Sequence, residues 1–252
     1  MNSRRQFVGV DGTPDGWVAV QYGEDGFADV VRYDEMAALW DDNAGAETIL
    51  VDVPIGLAAA AAAREPEQEA RRVLEGRTGS VFNVPIREVV DEEDYHEANR
   101  RQKDRIGKGL MQQTFNITPK IRAVDDLLNG GSDATQETIR ESHPEVCFWA
   151  FNDAEPMQFS KTGQPAAAFW ERVAVLETVD DDFTDALAAA GKTIAGWDDP
   201  ELSNDDLLDA FVLALTATVG TETGYETLPA EPETDEEGLR MEMVYAEPPS
   251  QN

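Results

Sequence analysis

Cysteine is nearly missing from this sequence: Cys147 is the single one in 252 residues. One thiol excludes an internal disulfide and a cysteine-based zinc site. Lysine is almost as scarce, with Lys103, Lys108, Lys120, Lys161 and Lys192 as the full set. Long apolar runs are lacking too, and nothing approaches the roughly 20 residues that span a bilayer. Residues 1–6 lead straight into a strand-like segment, without the apolar core of a signal peptide. Together these absences predict a cytosolic protein with no membrane role.

What is abundant is negative charge. Against 20 basic residues stand 51 acidic ones, a formal net charge of −31 spread along the whole chain. Self-repulsion on this scale disfavours a compact state in dilute buffer. In molar salt the Debye length falls to about 3 Å and the repulsion is largely screened. The composition therefore reads as adaptation to a salt-rich cytoplasm, a halophile-type acidic chain. In that setting acidity says little about partners, so nucleic acid stays open as one. The apolar fraction of 41% is that of a globular chain.

The pattern of elements is α/β. Residues 7–10 read as a buried strand ending at Asp11-Gly12, and 17–22 as a second. Asp25-Gly26 marks a hairpin into a third strand over 27–31. Asp34 is placed to cap a short helix carrying Met36, Leu39 and Trp40. Residues 48–53 are continuously apolar around Asp52, as in a strand covered on both faces. From about 58 to 129 the pattern is mostly helical: an alanine run over 58–63, a second helix over 98–111, and a loop with buried anchors over 79–87. We read this stretch as a helical insertion in a single domain covering residues 1–252. Residues 145–151 are expected as a fifth strand, and helices are expected over 166–176, 181–190 and 204–219. An acidic, proline-bearing loop over 229–238 and a short edge strand over 239–245 close the chain.

Four carboxylates stand out by position. Asp11 ends the first strand and Asp52 lies near the end of the fourth; ligands of α/β sheets bind beyond such carboxyl ends. Asp206 and Asp209, at i and i+3, share one face of the last helix. Mg²⁺ or Mn²⁺ takes oxygen ligands and keeps several waters. Two such ions about 3.5–4 Å apart can clamp the attacking and leaving oxygens of a phosphodiester. Each acid has an ordinary reading as well: Asp206 can complete a cap with Ser203, and Asp11 can be a turn residue. Asp52 is the hardest to dismiss, since an acid inside Ile-Leu-Val-Asp-Val is costly to bury unpaired. Glu145, beside His143-Pro144, can add a ligand or position water, and His143 can pair with a phosphate or a carboxylate.

Several segments together resemble a domain-of-unknown-function family described as predicted nucleases of ribonuclease H-like fold. They are 8–12 with Gly16-Trp17, 51–57, Ser80-Val81-Phe82 with Pro85 and Arg87, and Gln112-Gln113 with Pro119-Lys120-Ile121 and Val124-Asp125. The set continues with 141–145 and Phe148, Lys161, Asp205-Asp206 with Asp209-Ala210, and 242–245. The resemblance implies a mixed sheet in which a three-stranded hairpin meander passes through a helix to central parallel strands. It is also similar to the Holliday-junction resolvase branch of that superfamily, whose acids come from the first strand, the fourth strand and the last helix. Asp11, Asp52, Asp206 and Asp209 fall at those stations, with Asp52 a methylene shorter than the glutamate common there. Arg87, Lys120 and Lys161 are then the expected phosphate contacts, Arg as a fork and Lys as a point charge. The resemblance implies a metal-dependent nuclease acting on DNA or RNA. A non-catalytic adaptor of the same fold is the alternative. An actin-like or sugar-kinase-like phosphotransferase would need a second domain and a second glycine loop.

Overall fold

The computed structural model describes residues 5–59 and 63–249. β1 (Gln6–Thr13), β2 (Gly16–Gly23) and β3 (Gly26–Tyr33) form an antiparallel meander. α1 (Met36–Asn43) carries the chain across to β4 (Thr48–Val51), which pairs parallel with β1. Four helices follow: α2 (Pro66–Val73), α3 (Arg87–Val90), α4 (Tyr95–Ile106) and α5 (Gln112–Asn129), with a 3-10 turn at Thr78–Ser80. β5 (Ile139–Glu141) then adds parallel to β4. α6 (Pro144–Phe151), α7 (Pro165–Glu177), α8 (Phe183–Ile194) and α9 (Asn204–Thr223) come next. A small antiparallel pair, β6 (Glu226–Leu228) and β7 (Met243–Tyr245), ends the order. The main sheet runs β3-β2-β1-β4-β5, the ribonuclease H-like mixed sheet expected from the sequence.

The sheet is covered on both faces because its strands alternate between two apolar sets. Phe7, Val18, Val20 and Leu50 face one core, built with α6 to α9. Val8, Val10, Ala19, Ile49 and Val51 face the other, built with α1 and α5. The period of two assigns each residue to its side. Gly9 sits on the α9 face of β1, where a Cβ would lie 2.1 Å from both the Ala210 oxygen and the Ala214 nitrogen. Its missing side chain lets the last helix press onto the first strand. Across β1 the helix is buried over two turns, from Leu207 to Ala214.

Some sequence expectations need correction. Residues 145–151 are helix, not strand: Pro144 takes the first helical position and His143 caps it, its Nδ1 accepting from the Glu145 N–H at 3.2 Å. An unbroken apolar run has no period to separate the two states, and Val146, Cys147 and Phe148 are all fully buried. The fifth strand lies just upstream, at β5, three residues long and carrying two charges. Asp34 does not cap α1; Glu35 holds that position without a side-chain cap bond. Of the expected alanine helix, residues 60–62 lie outside the described residues, while Ala58, Ala59 and Ala63 are not helical. β6 was not foreseen, because Glu-Thr-Leu offers too short a signal.

Candidate active site

Asp11 and Asp52 are set side by side by the parallel pairing of β1 and β4. The register matches Val10 with Val51, and the Asp52 N–H donates to the Val10 carbonyl at 3.0 Å. Both acids come one residue later. Since Val10 and Val51 share one core, the next residue on each strand turns to the opposite face, where α9 lies. Asp11 is buried and accepts from the Gly12 N–H at 2.7 Å. Among the described residues neither carboxylate is hydrogen-bonded to a cationic side chain. Burial, then the charges of Asp52, Asp209 and Asp206, hold the Asp11 carboxyl well above its ordinary value. Asp52 is also raised, by burial first, although His143 and Lys161 pull the other way.

The helix acids differ from one another. Ser203 caps α9 by accepting from the Asp206 N–H at 3.0 Å, and Asp206 stands half-buried beside that first turn. Burial raises its carboxyl too, though the Ser203 contact offsets part of this. Asp209 is buried one turn on. Its two oxygens lie 2.6 Å from the Lys161 Nζ, each accepting a hydrogen bond. Burial pushes Asp209 up to about 6 despite that lysine. Lys161 pays a burial penalty of its own, but Asp209 and Glu145 outweigh it and raise the ammonium to about 12.

Glu145 reaches the same place from α6 and is held there by Arg172 of α7, Nη2 to Oε1 at 2.5 Å, with Lys161 at 3.7 Å. Burial works against its charge, yet Lys161 and Arg172 prevail and keep the carboxyl below its ordinary value. Arg172 was missed in the sequence. The signal existed: Ala168, Arg172 and Leu176 are spaced i, i+4, i+8, and all three are buried.

Two adjoining cavities meet at Asp52, Ser80, Phe82 and His143. The smaller, about 180 Å³, is bordered by Asp11, Thr114, Lys120 and an apolar wall that includes Val84 and Ile117. Thr114 is itself buried, and its hydroxyl has no hydrogen-bond partner. The larger, about 530 Å³, is bordered by Arg77, Lys161 and Arg172 together with Glu145 and Asp209. His143 lines both, with its Nε2 3.4 Å from the Ser80 carbonyl. Lys120 donates to the Gly16 carbonyl at 2.6 Å and stacks on Trp17, 4.8 Å from the ring centre, while its stem fills the space over Gly12. Arg87 is not brought to either cavity. It forks onto Asp125, both bonds 2.9 Å, and bonds Asp235 at 2.5 Å, tying α3 to α5 and to the closing loop.

The donors can be weighed against a divalent cation. Among the described residues, no three or more His, Cys, Asp and Glu side chains are disposed to hold a metal ion. Asp11 and Asp52 do suit one: two adjacent carboxylates, with no cationic hydrogen-bond partner among the described residues, beside open space. Mg²⁺ is commonly held by one or two carboxylates plus water. Asp209 does not suit one as it stands, because Lys161 already spans both its oxygens. Elsewhere the buried Arg64 bonds Glu141 at 2.6 Å with Glu67 3.5 Å away, a structural triad under the small cavity.

Fold and site together define a mixed α/β protein with an acid-lined crevice at the carboxyl ends of its central parallel strands. The chain belongs to the DUF429 family, described as a protein of unknown function, which matches residues 9–234. No curated protein and no solved structure matches it. No described helix is long and apolar enough to cross a membrane.

Proposed function

We propose that the protein is a metal-dependent nuclease that hydrolyses a phosphodiester of DNA or RNA in this crevice. The observation that carries the reading is the side-by-side placement of Asp11 and Asp52. Their carboxyl groups are both raised by burial, Asp11 further by its acidic neighbours, and the pull of His143 and Lys161 on Asp52 does not undo its shift, so a bound cation would favour the charged forms. Mg²⁺ or Mn²⁺ held by these two acids would supply a polarised water and charge stabilisation. The chain's own groups would do the rest. Arg77, His143 and Lys161 border the larger cavity, where they can receive phosphate oxygens. Phe82, between the two cavities, offers a ring against which a base can stack. Thr114 can donate its spare hydroxyl to a base or sugar. Lys120 shapes the floor beside Asp11 and need not touch the substrate.

Mn²⁺ calorimetry in molar KCl, followed by a screen of single- and double-stranded DNA and RNA, tests this reading. The wild type is expected to bind Mn²⁺, and Asp52→Asn to lose at least tenfold in affinity together with all cleavage. Equal binding in both proteins, or none in either, removes the metallonuclease and leaves a nucleic-acid or protein adaptor of the same fold.

A further inference from the structure

Resting on that function, we infer that Lys161 takes the place of a second metal ion, so that the crevice holds one divalent cation and one built-in ammonium. A symmetric two-ion clamp would need Asp209, the buried acid of α9, as a ligand. Both oxygens of Asp209 are instead spanned by the Lys161 Nζ at 2.6 Å. The lysine is anchored from a second side by Glu145, 3.7 Å away. Glu145 in turn is committed to Arg172, at 2.5 Å. The order Arg172, Glu145, Lys161, Asp209 alternates in sign and satisfies each charge with its neighbour. Asp11 and Asp52 stand outside this ladder, with no cationic hydrogen-bond partner among the described residues.

Lys161 is one of only five lysines in the chain, and 23% of its side-chain surface stays open, in the larger cavity that it lines. An ammonium there carries one fixed positive charge next to Asp52 without taking up a metal. It can therefore face a phosphate oxygen while keeping Asp209 from binding a cation. Thr114, whose buried hydroxyl has no hydrogen-bond partner, lines the small cavity with Asp11 and Asp52, a cavity that Lys161 does not line.

The test is Mn²⁺ stoichiometry, read by calorimetry in molar KCl so that loose binding to the acidic surface is screened. The full chain is used as wild type, Lys161→Met, Asp209→Asn and the Lys161→Met/Asp209→Asn double variant. Wild type and Asp209→Asn are expected to bind one ion each. Lys161→Met, which frees the Asp209 oxygens, is expected to bind two, and the double variant to return to one. Should Lys161→Met not fold, the comparison of wild type with Asp209→Asn still decides. Two ions in the wild type, falling to one in Asp209→Asn, would overturn the lysine substitution and leave the nuclease reading standing. One ion in every variant, Lys161→Met folded among them, would overturn it as well. No ion in any of the four would end both.

Discussion

At the residue scale, the acids of the crevice are placed against the interest of stability. Asp11 is buried, bonded only to a neighbouring N–H, and surrounded by three more carboxylates. An Asn at this position keeps an oxygen for the Gly12 N–H and removes the charge. Asp11→Asn should therefore stabilise the metal-free protein by about 1–3 kcal/mol, seen as a thermal midpoint several degrees higher. A lower midpoint would mean that Asp11 is held by an attraction not described above. These acids were legible from the sequence because a carboxylate at a strand end, or at i and i+3 on a helix, is a local fact. The pairing of Arg172 with Glu145 and the commitment of Arg87 to Asp125 and Asp235 were not. Each depends on a partner far along the chain, 27 residues away for Arg172 and Glu145 and 148 for Arg87 and Asp235, and no spacing rule reaches across such a gap.

At the scale of elements, the meander, α1 and β4 were readable in order because turn residues and apolar runs alternate cleanly there. α6 was not, because helix and strand both accept a short run buried all round, and only the proline after His143 argued for a helix start. The contact between β1 and α9 is the one on which the site depends most. Gly9→Ala would force a methyl into the Ala210 and Ala214 backbone, and the helix would have to lift. The cost is expected at 1–3 kcal/mol or somewhat more, roughly that of overpacking a core. Because Asp206 and Asp209 ride on the same helix, Mn²⁺ affinity or cleavage should fall along with the midpoint in urea. A variant with unchanged stability would show that α9 can shift freely over the sheet.

For the whole molecule, charge is the dominant fact. The arginines are largely taken up by ion pairs, some exposed, as in Arg100 and Arg101 with Glu97, and some buried, as in Arg64 with Glu141. The remaining excess is acidic, amounting to −31 over the chain. Raising KCl from 0.1 to 2 M shortens the Debye length from about 10 Å to a few Å. The thermal midpoint should rise over that interval, since repulsion is screened more than the buried pairs are weakened. A flat or falling midpoint would count against salt adaptation. The composition made the acidic excess legible at once, but it could not say where the few cations are gathered, and the larger cavity is where three of them meet.

β1, which carries Asp11, and β4, which Asp52 follows directly, are synthesised before α9 with Asp209. Translation runs from the N-terminus, so a growing chain holds the strand acids without α9 to close over them until that helix emerges. The crevice is complete only once α9 has emerged.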